Sequence, residues 1–351
     1  MRLQHSQSTE VTVLRHETTS RRKLPVNFKQ EDLPLFNHEL ERVIPETRLL
    51  ELSDVSLSAE GVLFRRGEML AESFAFPHTR ANWKRRSVVK FFFSNYVLRK
   101  RRRFESASVW VIDDWSYGYF HWLADVLPRL MVIKEQLKDL VLVLPQKYRD
   151  LEFVQASLKP FVMRGLEFID SDEVVFCKRL VVPMHTAPSG HYNDELIQEV
   201  RNLLVQFYAS NDAGPNGDRV YISRGLAPKR KILNEEEVVA VLREFNFRII
   251  HPEHHSFREQ VTIAAGARYL VSNHGAGLTN MLFMNPGTSV IELRHRNDPV
   301  NNCYFTLASA LNLNYFYQAC QAEQSGEDPH TANLRVDVRT LRENVQLMLG
   351  F

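Results

Sequence analysis

The chain reads as an α/β protein, and three observations lead to that class. Residues 219–294 alternate short β-branched runs with stretches of helical spacing, the connections between them are short, and a similar alternation precedes them across the turn-rich cluster NDAGPNGD (211–218). Parallel strands joined by helices are the ordinary result of such alternation, so helices on both faces of a sheet are expected, twice over.

Residues 1–40 are polar and of mixed charge without a sustained period, and are expected to be a partly ordered leader. GVLFRRGEML (61–70) predicts a hairpin about Arg65-Arg66-Gly67. KRRSVVKFFFSNYVLRKRRR (84–103) is expected as a strand flanked by solvated charge, with contact to an anionic membrane surface or to nucleic acid as the alternative. SVWVID (108–113) predicts a strand and GYFHWLADVLPRL (118–130) a helix that Pro128 interrupts or kinks. VLVLP (141–145), LEFID (166–170) and VVFCKRLVVP (174–183) are further strands, and NDELIQEVRNLLVQFY (193–208) is a long helix capped by Asn193.

Glycine and proline in 211–218 place the domain boundary there. The expected division is 1–104 as leader and hairpin packed on the first domain, 105–212 as that domain, 216–330 as the second, and 331–351 as a terminal helix. In the second, RVYISR (219–224) is a strand and NEEEVVAVLREF (234–245) a helix with Asn234 as N-cap. FRIIHP (247–252) is a strand, Ser256 and Glu259 form a capping box, and RYLVSN (268–273) runs into a helix from HGAGLTN (274–280) to Met284. SVIELR (289–294) is the next strand, CYFTLASAL (303–311) a helix and YFYQAC (315–320) an edge strand.

A parallel sheet binds ligands where its strands end. Arg224, Lys229, Arg230 and Lys231 follow the strand at 219, while His274, Gly275, Ala276 and Gly277 follow the strand at 268. Backbone amides at a helix start attract phosphate, and the cations balance its charge. Two such elements suit a diphosphate, so a nucleotide or nucleotide-sugar site is expected, with Glu253 positioned for ribose hydroxyls. His121 and Asp125 stand four residues apart on one helical face, where either could take a proton. Asp125 is the first choice and His121 the second; the two could also act as a unit, or only brace the helix.

Other chemistries find less support. Asp170-Ser171-Asp172 is a DxD triplet in an unsuitable setting, and His251, Glu253, His254 and His255 lie too close together on one loop to converge on a metal. There is no G-x-G-x-x-G, no P-loop and no G-x-S-x-G. A net charge of +2 and a pI near 8.4 argue against a dedicated nucleic-acid binder. Cys177, Cys303 and Cys320 form no disulfide or zinc pattern, and neither an apolar leader nor a membrane span is evident, so a cytoplasmic protein is expected.

Three blocks, YISRGLAPKRKILNEEEVVAVL, PEHHSFREQVTIAAGARYLVSNHGAGLTNMLFMNPGTSVIEL and SYGYFHWLADVLPRL, resemble the family-61 glycosyltransferases over roughly residues 108–320. The resemblance implies a GT-B fold of two Rossmann-like domains facing across a cleft, with a terminal helix crossing back to the first. It also implies inverting transfer from a nucleotide-sugar, UDP-linked by expectation, to a glycan or lipid-linked glycan, without an obligatory metal or other cofactor. The bacterial branch that builds surface polysaccharide is the nearest match in kind. Arg224, Arg230 and the backbone of Gly275 to Gly277 would then steady the leaving diphosphate, with His274 and Asn280 shaping the pocket. The rivals are an epimerase-like enzyme of the same fold and a non-catalytic nucleotide-binding scaffold.

Overall fold

Buried β-branched strands set the architecture. A computed structural model describes residues 10–209 and 218–351 apart from 82, 84 and 325, so the proposed boundary at 211–218 lies, except for Asp218, outside the described residues. Contacts divide the chain into two units. The first comprises residues up to Thr18 and Pro45–Ser189, and the second Thr19–Ile44 and Gly190–Phe351.

In the first unit, Glu173–Pro183 is central: it pairs in parallel with Ser108–Val109 and Lys100–Phe104, and antiparallel with Thr47–Ser58. Val141–Pro145 and Gly165–Ile169 extend the parallel side. The sheet is therefore mixed, because a long antiparallel strand and the hairpin Leu63–Arg65/Glu68–Met69 complete it. Arg66 and Gly67 take positive φ, as a two-residue hairpin turn requires.

Three elements differ from expectation. Ser108–Val109 is the only regular part of the 108–113 strand, although Trp110, Val111 and Ile112 continue it as buried extended chain. Residues 85–98 are helical rather than extended, because Phe91, Phe92 and Tyr96 recur at helical spacing to meet Phe64. Finally, Pro128 does not interrupt its helix, although the helix departs from α geometry beside it. A π turn, Trp122–Val126, widens the backbone just before Leu127–Met131, which relieves the clash that proline would make with the preceding turn.

The second unit carries the sheet in the order Arg248–Ile250, Arg219–Ile222, Tyr269–Asn273, Ser289–His295, Asn314–Ala322 and Leu334–Arg335. All are parallel except the last, which displaces 314–322 from the edge. Ser256 and Glu259 form the expected capping box. Asn234 occupies its N-cap position but makes no cap bond; its side chain instead clasps the backbone of Val336 at 2.9 and 3.0 Å.

Two boundaries move. The helix Asp194–Ala209, expected in the first domain, belongs to the second unit, where Arg201 donates to Met284 O and Asn285 Oδ1 and Tyr208 meets Phe257. Its expected Asn193 cap is present, donated to by Leu196 N–H at 3.1 Å. The leader segment Thr19–Ile44, expected on the first domain, also packs with the second: Phe36 is fully buried with its ring edge-on to Phe305 and Tyr317. The terminal helix Val338–Leu349 rests within the same unit, Leu341, Val345 and Met348 joining the core of Tyr221, Val271, Ile291 and Phe316.

Phe36→Ala should cost about 3–5 kcal/mol and speed amide exchange in the strand Asn314–Ala322. Unchanged exchange there would show that the leader is not part of this core.

Candidate functional site

The second unit gathers its chemistry at the carboxyl ends of parallel strands. Ile222 leads through Ser223 into Arg224, and Asn273 leads into His274 and Gly275. Gly275 has φ +154°, and a Cβ there would lie 2.7 Å from Arg224 Cζ, so the guanidinium rests on the glycine. Gly277 serves packing: a Cβ would come within 2.9 Å of Ile222 Cγ2. The expected helix follows, as a 3-10 run over Ala276–Phe283. Its residues from Leu278 onward are buried, and a tighter coil lets them pack on more than one side. Leu278 N–H donates the first bond, to Gly275 O at 2.8 Å, so the amides of Ala276 and Gly277 precede it.

Arg224 and Arg230 form the charged part of this edge. Burial lowers the Arg224 pKa, and the positive charge of Arg230 lowers it further, whereas Tyr304 and Glu253 raise it. The Nε atoms of both arginines are buried with no hydrogen-bond partner among the described residues. Arg230 takes φ 57° and its carbonyl accepts from Asn273 Nδ2 at 2.6 Å, which fixes the loop to the neighbouring strand end. Two cations so placed, one of them partly desolvated, suit an anion.

The remaining expected residues divide. His274 Nδ1 lies 2.5 Å from Glu292 Oε1 and its ring meets Tyr304 with centroids 5.0 Å apart, so it is oriented from behind. Asn280 is buried and its amide donates to Gln260 Oε1 at 3.1 Å, a supporting position. Ala276 opens the 3-10 run, Glu253 is exposed close enough to act electrostatically on Arg224, and Lys229 and Lys231 are exposed. Sequence reading missed Glu292 and Tyr304. Burial pushes the Glu292 carboxyl up, but hydrogen bonding and charge from His274, with Arg294 and Tyr315, bring it below the usual range. The signal available was a lone glutamate in the apolar strand SVIELR.

The first unit has its own polar edge. His121 Nδ1 lies 2.8 Å from Asp125 Oδ2, and Ser189 Oγ donates to the same oxygen at 2.8 Å. A carboxylate can only accept, so Nδ1 carries the proton and Nε2 is the basic nitrogen. Asp125 is 5% exposed and His121 24%. Ser189 stands on the Nδ1 side, 3.3 Å away, which is not the arrangement of a serine nucleophile triad. Trp115 closes on the imidazole with ring centroids 5.0 Å apart.

That tryptophan hangs from Asp113, whose Oδ1 accepts from Trp115 N–H and Ser116 Oγ. Asp113 Oδ2 meets His185 Nε2 at 2.8 Å and Arg129 at 3.6 Å. Burial alone would raise this carboxyl, but the His185 hydrogen bond and charge, then Arg129, bring it down to about 2. The DxD aspartates are paired with cations instead, Asp172 with Lys100 at 2.8 Å and Asp170 with Arg149 at 3.9 Å. His251 and His254 face each other at 5.7 Å between ring centroids.

Comparison with known proteins agrees in kind. The family model described as Glycosyltransferase 61 matches residues 119–291, slightly under half of the chain. A Bos taurus protein O-linked-mannose beta-1,4-N-acetylglucosaminyltransferase 2 is 33% identical over 103 residues, covering 28% of this chain and 18% of that protein. A Drosophila melanogaster EGF domain-specific O-linked N-acetylglucosamine transferase is 34% identical over 98 residues, 27% of this chain and 18% of its own. A Takifugu rubripes relative of the first kind reaches 40% over 93 residues, 25% and 16% of the two chains. The chain thus matches less than a fifth of the length of each of these three.

Because the folded pKa of Asp113 lies below its ordinary value of 3.8, its contribution to stability is present above pH 3.8 and is lost as pH falls towards about 2. Asp113→Asn should remove about 2 kcal/mol of pH-dependent stability from that window in acid-unfolding curves. Identical slopes for the two proteins would contradict the ion cluster.

Proposed function

Residues 119–291 carry glycosyltransferase 61 sequence, and from that premise we propose that the chain transfers a sugar from a nucleotide-sugar to a glycan hydroxyl with inversion. The observation that supports this most is the pairing of two partly buried arginines with the Cβ-less backbone of Gly275 at one sheet edge. In this reading the acceptor oxygen attacks the anomeric carbon as its proton passes to His121 Nε2. The bond to the donor phosphate breaks on the opposite face, and the nucleoside diphosphate leaves with the electron pair. Arg224, Arg230 and the amides of Ala276 and Gly277 take up the developing charge, so no divalent ion is required. His121 becomes the base and Asp125 its orienting partner, the reverse of the order expected from sequence, since Asp125 is already engaged by two donors.

Donor binding by one αβ unit and acceptor activation by another is the division of labour of a GT-B enzyme, and that architecture belongs to the proposal. N-acetylglucosamine in the names of the relatives supports a UDP-linked N-acetylhexosamine donor. Surface polysaccharide, free or lipid-linked, is the acceptor we propose, and a cytoplasmic site the corresponding location.

Radiolabelled sugar transfer to an oligosaccharide panel tests the scheme. His121→Ala should lower kcat by about 10²- to 10⁴-fold with little change in donor KM, and Asp125→Asn by less. Full activity in His121→Ala would exclude it as the base, and donor turnover without an acceptor product would favour the epimerase-like rival.

A further inference from the structure

The segment expected as a strand with solvated charge has an apolar outer side. Val89, Phe93 and Val97 stand four residues apart on the helical stretch and, with Leu98, are 63%, 56%, 63% and 68% exposed. Residues at that spacing stack on one side of a helix. The opposite side is satisfied already: Phe91 is buried against Phe64 and Trp83, and Asn95 Nδ2 donates to Phe91 O. Four large apolar side chains in a row are therefore left facing water, which is uncommon unless something covers them.

Beside the stripe lies a groove of about 1040 Å³ whose lining includes Arg65, Arg66, Arg101, Arg102 and Arg103 against a single carboxylate, Asp54. Some of this charge is answered, since Arg103 pairs with Glu105 and Arg102 with Glu167 and Glu173. Arg66 and Arg101 have no carboxylate partner among the described residues, nor does Lys90 on the helix itself. The three elements are tied together: Gly67 N–H donates to Tyr96 Oη at 3.0 Å, and Arg101 donates to Tyr96 O at 2.7 Å. The hairpin tip, the helix end and the basic strand thus present one fixed surface.

We propose that this surface, the stripe Val89–Phe93–Val97–Leu98 with Arg66, Lys90 and Arg101 beside it, docks on an anionic phospholipid bilayer. The combination decides the occupant. An apolar helix side flanked by unpaired cations places aliphatic and aromatic groups at the acyl boundary while guanidinium and ammonium groups meet lipid phosphates. No helix among the described residues is long and apolar enough to cross a membrane, so the contact is of the kind that lies on the surface. The inference goes beyond the transferase reading and is independent of it, because it concerns binding rather than turnover.

Flotation of the full chain with vesicles of phosphatidylcholine, with and without phosphatidylglycerol, provides the test. The chain should float with the anionic vesicles and remain behind with the neutral ones. V97E/L98E should lower the bound fraction about tenfold or more, and R66Q/R101Q should lower it and flatten its dependence on salt. All four side chains are outside the core, and matching thermal melts would establish that each variant is folded. Absence of flotation, equal flotation on both vesicle types, or wild-type flotation of both variants would overturn the proposal. So would a chain that is dimeric in light scattering and becomes monomeric in V97E/L98E without a change in flotation, because a second copy would then be what covers the stripe.

Discussion

A partly desolvated arginine held in the field of a second one is the constraint on which the second unit turns. Arg224 is partly desolvated and sits in the field of Arg230, an arrangement that costs stability unless the charge is balanced. The surrounding chain is arranged to maintain it. Gly275 leaves the space that the Arg224 guanidinium fills, and Arg230 accepts a left-handed backbone at a cost on the order of 1–2 kcal/mol. Asn273, at the end of the neighbouring strand, holds the Arg230 carbonyl. Parallel pairing of 219–222 with 269–273 brings the two loops to the same edge, so sheet register determines site geometry.

The first unit meets a comparable requirement differently. Its polar edge is built on paired rather than unpaired charge: Asp113 binds His185 and Arg129, and Asp125 binds His121 and Ser189. Both carboxylates are buried, and both hold an imidazole that is more exposed than they are. The Asp113 loop also carries Trp115 onto His121, so a structural ion cluster and the candidate base share one support. A π turn at Trp122–Val126 allows a proline-containing helix to continue without moving His121 from its position near the start.

Much of this was legible in the sequence where a local rule applied. Alternating patterns gave the strands of 219–294, the capping box at Ser256, and the Asn193 cap; glycine and arginine at strand ends pointed to the edge now seen at Arg224 and Gly275. What escaped notice depended on distant partners. Asn234 looked like a cap but clasps Val336, 102 residues away. Glu292, Tyr304 and Ser189 gain their roles only through folding, and the transfer of 19–44 and 194–209 to the second unit rests on contacts with 284–317 that no local period records. The stripe at 89–98 was hidden because its sequence mixes inward and outward aromatics, and only the helix separates them.

Calorimetric titration with UDP, in the presence and absence of a chelator, tests the central claim most directly, using uridine and Arg224→Ala for comparison. The account predicts binding that is indifferent to the chelator, weaker by at least about a hundredfold for uridine, and reduced by a similar factor in the variant. Binding that needs a divalent ion, or that survives the loss of Arg224 unchanged, would contradict it.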